Sequence, residues 1–282
     1  MTKILNSKVL YEELVEDIKQ KVMDLKIIPK LGVISFGDNN GSGAYERGLK
    51  NTAKKINLEV VVKNLENSTK EEVLNAIEEF NKDDEVGGIL IFRPLPEHLD
   101  EEEINLMIDV RKDVDCIHPI NKAKVYGGDV SGFIPLAPKA SVMLLKYYGY
   151  EFKSKDVVIV NHSNVVGKPL AMIMLDESAT VSITHIDTKD LKKYTKNADY
   201  VFTAVGKAKI FDETYFNKDS VIVDIGVSTT KEGKLSGDID EASIMDNVEA
   251  FTPVVGGVGA ITNILLLQNV VEFYHRTKKT IK

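Results

Sequence analysis

The segment Val157–Asp187, VVIVNHSNVVGKPLAMIMLDESATVSITHID, constrains the fold more than any other part of the chain. Four consecutive β-branched residues, Val157–Val160, have the character of a strand buried on both faces. Asn161–Gly167 is a polar loop ending in glycine. Pro169 suits a first helical turn, where its missing N–H would be unpaired anyway. Leu170–Leu175 is too apolar for an exposed helix, Thr180–Ile186 returns to β-branched residues, and Asp187 closes the unit. Strand, tight loop, helix and strand make a βαβ unit. The amino terminus of such a helix offers free N–H groups and a positive dipole end to a pyrophosphate. An acid at the end of the second strand can accept from ribose hydroxyls, and Asp187 stands 20 residues beyond Gly167. The loop is not GxGxxG, because Asn161 occupies the first glycine position. Taken alone, the segment leaves dinucleotide binding and a ligand-free crossover equally open.

The rest of the chain repeats the alternation. Leu10, Leu14, Ile18, Val22 and Leu25 recur at helical spacing behind Ser7, an expected N-cap. Strands are expected at Leu31–Phe36, Leu58–Val62 and Gly88–Phe92, with helices over Ala44–Ile56, from a Ser68/Thr69–Glu71/Glu72 capping box to Phe80, and over Asp100–Ile108. Gly37–Gly43 (GDNNGSG) is a turn-rich loop. After a linker at Asn121–Ser131 come a bridging helix, Pro135–Tyr148, the βαβ unit, and buried strands at Tyr200–Val205 and Val221–Ile225, each followed by glycine. A glycine-rich loop, Thr252–Thr262, precedes a final helix, Asn263–Arg276. The expected class is α/β with two domains: residues 1–122 plus 263–282, with the last helix packing back on the first domain, and residues 123–262, a Rossmann-like dinucleotide domain.

Composition narrows the function. The chain has 282 residues, 43% hydrophobic and 28% charged, enough for two modest cores. A net charge of −7 argues against nucleic acid as a partner. No apolar run is long enough to span a membrane, and the amino terminus lacks a signal-peptide core. A single cysteine, Cys116, excludes an intrachain disulfide and fits a reducing cytoplasm. The five histidines are scattered without metal-ligand spacing, so no metal site is expected.

Seven segments in order carry a resemblance. They are Gly37-Asp38 with Ser42 and Tyr45, GGILIFRPLP (Gly87–Pro96), KDVDCIHP (Lys112–Pro119), FIPLAP (Phe133–Pro138), SNVVGKP (Ser163–Pro169), DIGV (Asp224–Val227) and TPVVGGVGAIT (Thr252–Thr262). Over nearly its whole length the chain resembles the bacterial methylenetetrahydrofolate dehydrogenase/cyclohydrolase family. The resemblance implies a folate-binding catalytic domain, a domain for NAD or NADP, a cleft between them and a homodimer. The implied reaction is hydride transfer from 5,10-methylenetetrahydrofolate to NAD(P)+, followed in many members by hydrolysis to 10-formyltetrahydrofolate. It also implies roles for residues. Tyr45 would bound the folate ring, and Asp115 would bind the pterin amino and N3–H donors, a pair that suits a carboxylate. Gly256 and Gly257 would close over the substrate. Asn161, His162, Ser163, Gly167, Ile186, Asp187, Val227 and Thr262 would line the cofactor. Asp113 is expected to be solvated or structural.

The departures from the family pattern are informative. A lysine normally stands four residues after the tyrosine; here that residue is Leu49, and Lys50 lies about 100° further round the helix. The family's glutamine before L-P-L-P is Phe92, followed by Arg93. Hydride transfer needs position and electrostatics rather than a strong base, because two nitrogens stabilise the cation that forms. Hydrolysis needs proton transfer, typically worth ~10²–10⁴-fold. The expectation is therefore a dehydrogenase with weak or absent cyclohydrolase; the alternatives are a bifunctional enzyme using Lys50 or Arg93, and a non-catalytic folate- or dinucleotide-binding regulator. NADP-using members tend to carry arginine and serine where this chain has His162 and Ile186. Asp187 would repel a 2′-phosphate, so NAD is favoured, with Lys168 and Lys189 keeping NADP open.

Overall fold

The computed structural model describes residues 1–37, 42–129, 132–230 and 233–278. Asp38–Gly41 of the expected GDNNGSG turn, the Val130–Ser131 end of the linker and residues 279–282 lie outside the described residues.

In chain order the elements are β1 (Lys3–Ile4), α1 (Lys8–Met23), β2 (Lys30–Ser35), α2 (Ser42–Lys55), β3 (Glu59–Asn64), α3 (Lys70–Lys82), β4 (Val86–Ile91), α4 (Glu101–Met107), α5 (Pro119–Tyr126) and α6 (Leu136–Tyr147). There follow β5 (Asp156–Val160), α7 (Gly167–Asp176), β6 (Thr180–Thr184), α8 (Leu191–Thr195), β7 (Tyr200–Thr203), β8 (Val221–Asp224), the short hairpin strands β9 (Ser228–Thr229) and β10 (Leu235–Ser236), α9 (Glu241–Ile244), β11 (Ala250–Phe251) and α10 (Val258–Lys278). The chain divides into two compact units. One holds the described residues of 12–124, 130–133 and 263–282, the other those of 1–11, 125–129 and 134–262.

The first unit is built on a parallel sheet in the order β3-β2-β4. Thr69 and Glu72 form a reciprocal capping box at the start of α3, which fixes the helix entry. The helix then lays Val73, Ala76, Ile77 and Phe80 against Ile34, Ile89 and Ile91 of the sheet. On α10, Tyr274 and Val270 lie so close to Gly87 that an added Cβ would meet the tyrosine ring at 2.4 Å; one on Gly88 would meet Val114 at 2.3 Å. Two glycines in β4 thus let the last helix and the 112–116 loop approach the strand backbone.

The second unit is a six-stranded, all-parallel sheet in the order β1-β11-β8-β7-β5-β6. From β5 the chain crosses to β6 on one side and then to β7 on the other, so the order reverses at β5. Ligands of open α/β sheets bind at such a point, beyond the carboxyl ends of the strands. Val157–Val160, Val201, Phe202, Ile222 and Val223 are buried, as a sheet covered on both faces requires.

Three expectations differ from the structure. Residues 1–11 join the unit of the six-stranded sheet, because Lys3 and Ile4 pair with Ala250 and Phe251 on its edge. Ser7 does stand at the N-cap position, directly before α1 with its carbonyl accepting the Tyr11 N–H at 2.8 Å, and its hydroxyl donates to the carbonyls of Gly256 and Gly257 at 2.8 and 2.9 Å. The first part of the expected linker, residues 121–126, is helical and belongs to α5. The last helix starts at Val258, so Gly259 and Thr262 are helical rather than loop residues.

Candidate functional site

In the first unit, Tyr45 stands on the opening turn of α2 and Asp115 in the loop after α4. The charge of Asp115 acts on the Tyr45 phenol, whose pKa is pushed up to about 12, first by loss of water and then by that carboxylate. Asp115 itself is pushed up to about 7; burial is the main cause and the neighbouring Asp113 the next, with Arg93 and Lys122 pulling the other way. A phenol that stays protonated thus stands within electrostatic reach of a carboxyl group that changes charge near neutrality.

The Asp115 loop is held from several sides. The fully buried Asp113 accepts from the N–H groups of Ile117 and His118, each at 2.9 Å, and from Asn121 Nδ2 at 2.8 Å. Burial and three donors overturn the solvated alternative for Asp113 and leave the structural one. Lys112 Nζ donates to the carbonyls of Phe80, Asn81 and Asp83 at the end of α3, where the last carbonyls of a helix lack intrahelical partners. Asn269 of α10 donates to Val114 O at 2.8 Å. The Ile89 N–H of β4 donates to Lys112 O at 2.7 Å, so Asp115 projects from a backbone tied to a helix end, a strand and the last helix. None of these tertiary ties is visible in the KDVDC sequence.

At the β5–β7 switch point, Asn161 closes the loop that a fingerprint glycine would otherwise shape. Its Oδ1 accepts from the N–H groups of Ser163 (2.8 Å) and Gly167 (2.9 Å), and its Nδ2 donates to Ala204 O beyond β7 (2.7 Å). A Cβ on Gly167 would lie 2.0 Å from Asn161 O, so this glycine is required by close approach. One expectation is corrected here. The N–H groups of Gly167 and Lys168 do not point outward; they donate to Asn161 Oδ1 and Ser163 O, and Pro169 has none. The helix contributes its dipole to this crevice rather than its first N–H donors.

The other residues expected around a cofactor are distributed as follows. His162 and His185 place their ring centroids 4.9 Å apart. Ile186 and Val227 are exposed, and the Asp187 carboxylate is 88% exposed. Thr262 donates to Gly259 O within α10. Gly256, at φ +83°, and Gly257 direct their carbonyls to Ser7. Beyond β7, Gly206 adopts φ +75°, and the nearest atom to a Cβ placed there is Val227 O at 3.9 Å, which leaves room for close approach to the backbone. These features fit a dinucleotide. His185 was missed by the sequence reading; no spacing rule links it to His162, because they follow different strands.

Comparison with known proteins is decisive. The model of the tetrahydrofolate dehydrogenase/cyclohydrolase catalytic domain matches residues 5–115, and that of the family's NAD(P)-binding domain matches residues 135–278. The chain belongs to the tetrahydrofolate dehydrogenase/cyclohydrolase family. A Clostridium botulinum relative named bifunctional protein FolD is 44% identical over 98% of this chain and 99% of its own. The crystal structure of the Campylobacter jejuni bifunctional FolD methylenetetrahydrofolate dehydrogenase/cyclohydrolase superposes with a TM-score of 0.95 at 37% identity, covering 98% of this chain and all of that one. The Thermoplasma acidophilum bifunctional enzyme does so at 0.92 and 33%, with the same coverage.

Apolar side chains stand around Tyr45. Its ring meets Phe92 edge-on at 5.5 Å, and Leu49 is fully buried. Lys50, one residue on, donates to Glu46 Oε1 at 2.6 Å in an exposed ion pair. Arg93 binds Glu101 at 2.9 Å and donates to Asn105 Oδ1 at 2.7 Å. Both cations considered as replacements for the family lysine therefore have carboxylate partners of their own.

Proposed function

We propose that the protein oxidises 5,10-methylenetetrahydrofolate to 5,10-methenyltetrahydrofolate by hydride transfer to a nicotinamide dinucleotide. The observation that carries this reading is that Asp115 lies within electrostatic reach of Tyr45, inside the region matched by the family's catalytic-domain model. Asp115 in its ionised form would accept from the pterin donors, and Tyr45 would bound the ring. The switch-point loop around Asn161, His162, Ser163 and Gly167, with Ile186, Asp187, Val227 and Thr262, would hold the dinucleotide, which supplies the hydride acceptor. Gly256 and Gly257 would serve the substrate through the loop they shape. Position and electrostatics suffice for this step.

For the hydrolytic step, the names of the relatives support a bifunctional enzyme, and they do so better than the expected loss of cyclohydrolase. One specific observation favours the weaker activity: Leu49 and Phe92 present carbon where proton transfer would need a polar group, and Lys50 and Arg93 are paired elsewhere. NAD is proposed over NADP because of the Asp187 carboxylate. A cytoplasmic homodimer completes the reading. Among the described residues no helix is long and apolar enough to cross a membrane.

Purified protein with methylenetetrahydrofolate and either cofactor tests all of this. Reduced cofactor and methenyl product are followed separately against spontaneous hydrolysis. Cofactor reduction with accumulating methenyl product supports a dehydrogenase. Methenyl cleared faster than in buffer supports the bifunctional reading. No reduction with either cofactor overturns the proposal. Sizing by light scattering tests the dimer.

A further inference from the structure

We infer that His162 and His185 together set the choice between NAD+ and NADP+, and that the choice shifts toward NADP+ as the pH falls. The inference rests on the dinucleotide reading of the switch point and adds a determinant to it.

The two rings come from different strand ends, His162 after β5 and His185 after β6, with centroids 4.9 Å apart and planes at 48°. In βαβ dinucleotide sites, the residues ending the second strand face the ribose hydroxyls or a 2′-phosphate. His185 Nδ1 accepts the N–H of Asp187 at 3.3 Å, which requires an unprotonated Nδ1. In that form the Asp187 carboxylate stays 88% exposed, available to a 2′-hydroxyl and repulsive to a 2′-phosphate.

Protonation reverses the role of Nδ1. The imidazolium has no lone pair for the Asp187 N–H and becomes a donor, and Asp187 Oδ2 stands 3.9 Å away. Pairing with that carboxylate cancels its repulsion. A positive charge on His162, a ring away, would add attraction. Histidine is the side chain that ordinarily makes this change between pH 5 and 8. The other charged groups on the flanking segments are Lys168 on α7, whose Nζ donates to Asn164 Oδ1 at 2.7 Å, Lys189 and Asp190 in the turn after β6, and Lys207 beyond β7. Lysine and aspartate ordinarily keep their charge over this interval.

The test is the ratio of kcat/KM for NADP+ to that for NAD+ between pH 8 and pH 6, with matching calorimetric titrations of each cofactor. A ratio cancels titrations common to both reactions, including that of Asp115. The expected rise is about fivefold, the effect of roughly one unit charge at 4–5 Å in a water-like dielectric. The 2′-phosphate takes up its own second proton near pH 6; this change belongs to the ligand and is common to every variant, so the double variant measures it. The rise in excess of that seen in the double variant should vanish in H185Q and shrink in H162Q. A ratio constant within twofold in the unaltered protein overturns the inference, and so does a slope in the double variant as large as that of the unaltered protein. If neither cofactor binds at any pH, the dinucleotide reading falls first and the inference with it.

Discussion

Lys50 donates to Glu46 Oε1 at 2.6 Å, one helical turn back along α2, while its neighbour Leu49 is fully buried. If the hydrolytic step lacks a polar partner because of Leu49, Lys50→Ala should leave methenyl hydrolysis within twofold. Stability should change by under about 0.5 kcal/mol, as for most exposed ion pairs. Leu49→Lys should raise methenyl hydrolysis by about tenfold or more, since positioned proton transfer typically contributes ~10²–10⁴-fold. An unchanged rate in Leu49→Lys, measured on folded protein, would count against the apolar pair as the cause.

Asp115 makes binding and stability respond to pH in opposite senses. Its folded-state pKa is about 7, above the ordinary carboxylate value, because burial disfavours the charge. If the ionised form accepts from the pterin, kcat/KM for the folate should rise from pH 6 to pH 8, and Asp115→Asn should flatten the profile at a lower value. The raised pKa means the native state holds this proton more tightly than the unfolded chain. The stabilisation is therefore complete below about pH 4 and is lost as the pH rises through about 7. Thermal melts at pH 5 and pH 8 should show a smaller difference in Asp115→Asn than in the unaltered chain. Asp224 is raised to about 7 as well and contributes the same sign.

Asp113→Ala should be among the more damaging single changes in the first unit. It leaves the N–H groups of Ile117 and His118 and the Asn121 amide without their acceptor. A buried polar group left unpaired costs about 1–3 kcal/mol, so a loss of about 3–5 kcal/mol is expected in urea titrations. Because Asp115 follows two residues later, KM for the folate should rise in any folded fraction.

Gly167→Ala should act on the cofactor half. The added methyl would lie 2.0 Å from Asn161 O, so the loop must open and release the Asn161 bonds to Ser163 and Gly167. NAD+ affinity should fall by about tenfold or more, and the capping box of α3 and the Asp115 loop should keep their amide-exchange protection.

The legible parts of this chain are those written locally. Val157–Val160 is buried on both faces and declares itself by composition. The Thr69–Glu72 box is an i, i+3 pattern and forms as expected. Other features depend on partners far along the chain. Ser7 has the residue type of an N-cap, yet Gly256 and Gly257, 249 and 250 positions away, take its hydroxyl. The N–H groups at the start of α7 looked free because the bonds to Asn161 Oδ1 and Ser163 O depend on how the loop turns.

By itself, the sequence determined the α/β class, the order of the main strands and helices, and the family, because periodicity, caps and short motifs are properties of neighbouring residues. Only the tertiary structure decided that β1 belongs to the edge of the six-stranded sheet, that Asp113 is buried with three donors around it, and that His162 meets His185. Each of these joins residues from separate elements. Burial, and the charge of a group within it, are set by what the chain folds against that group.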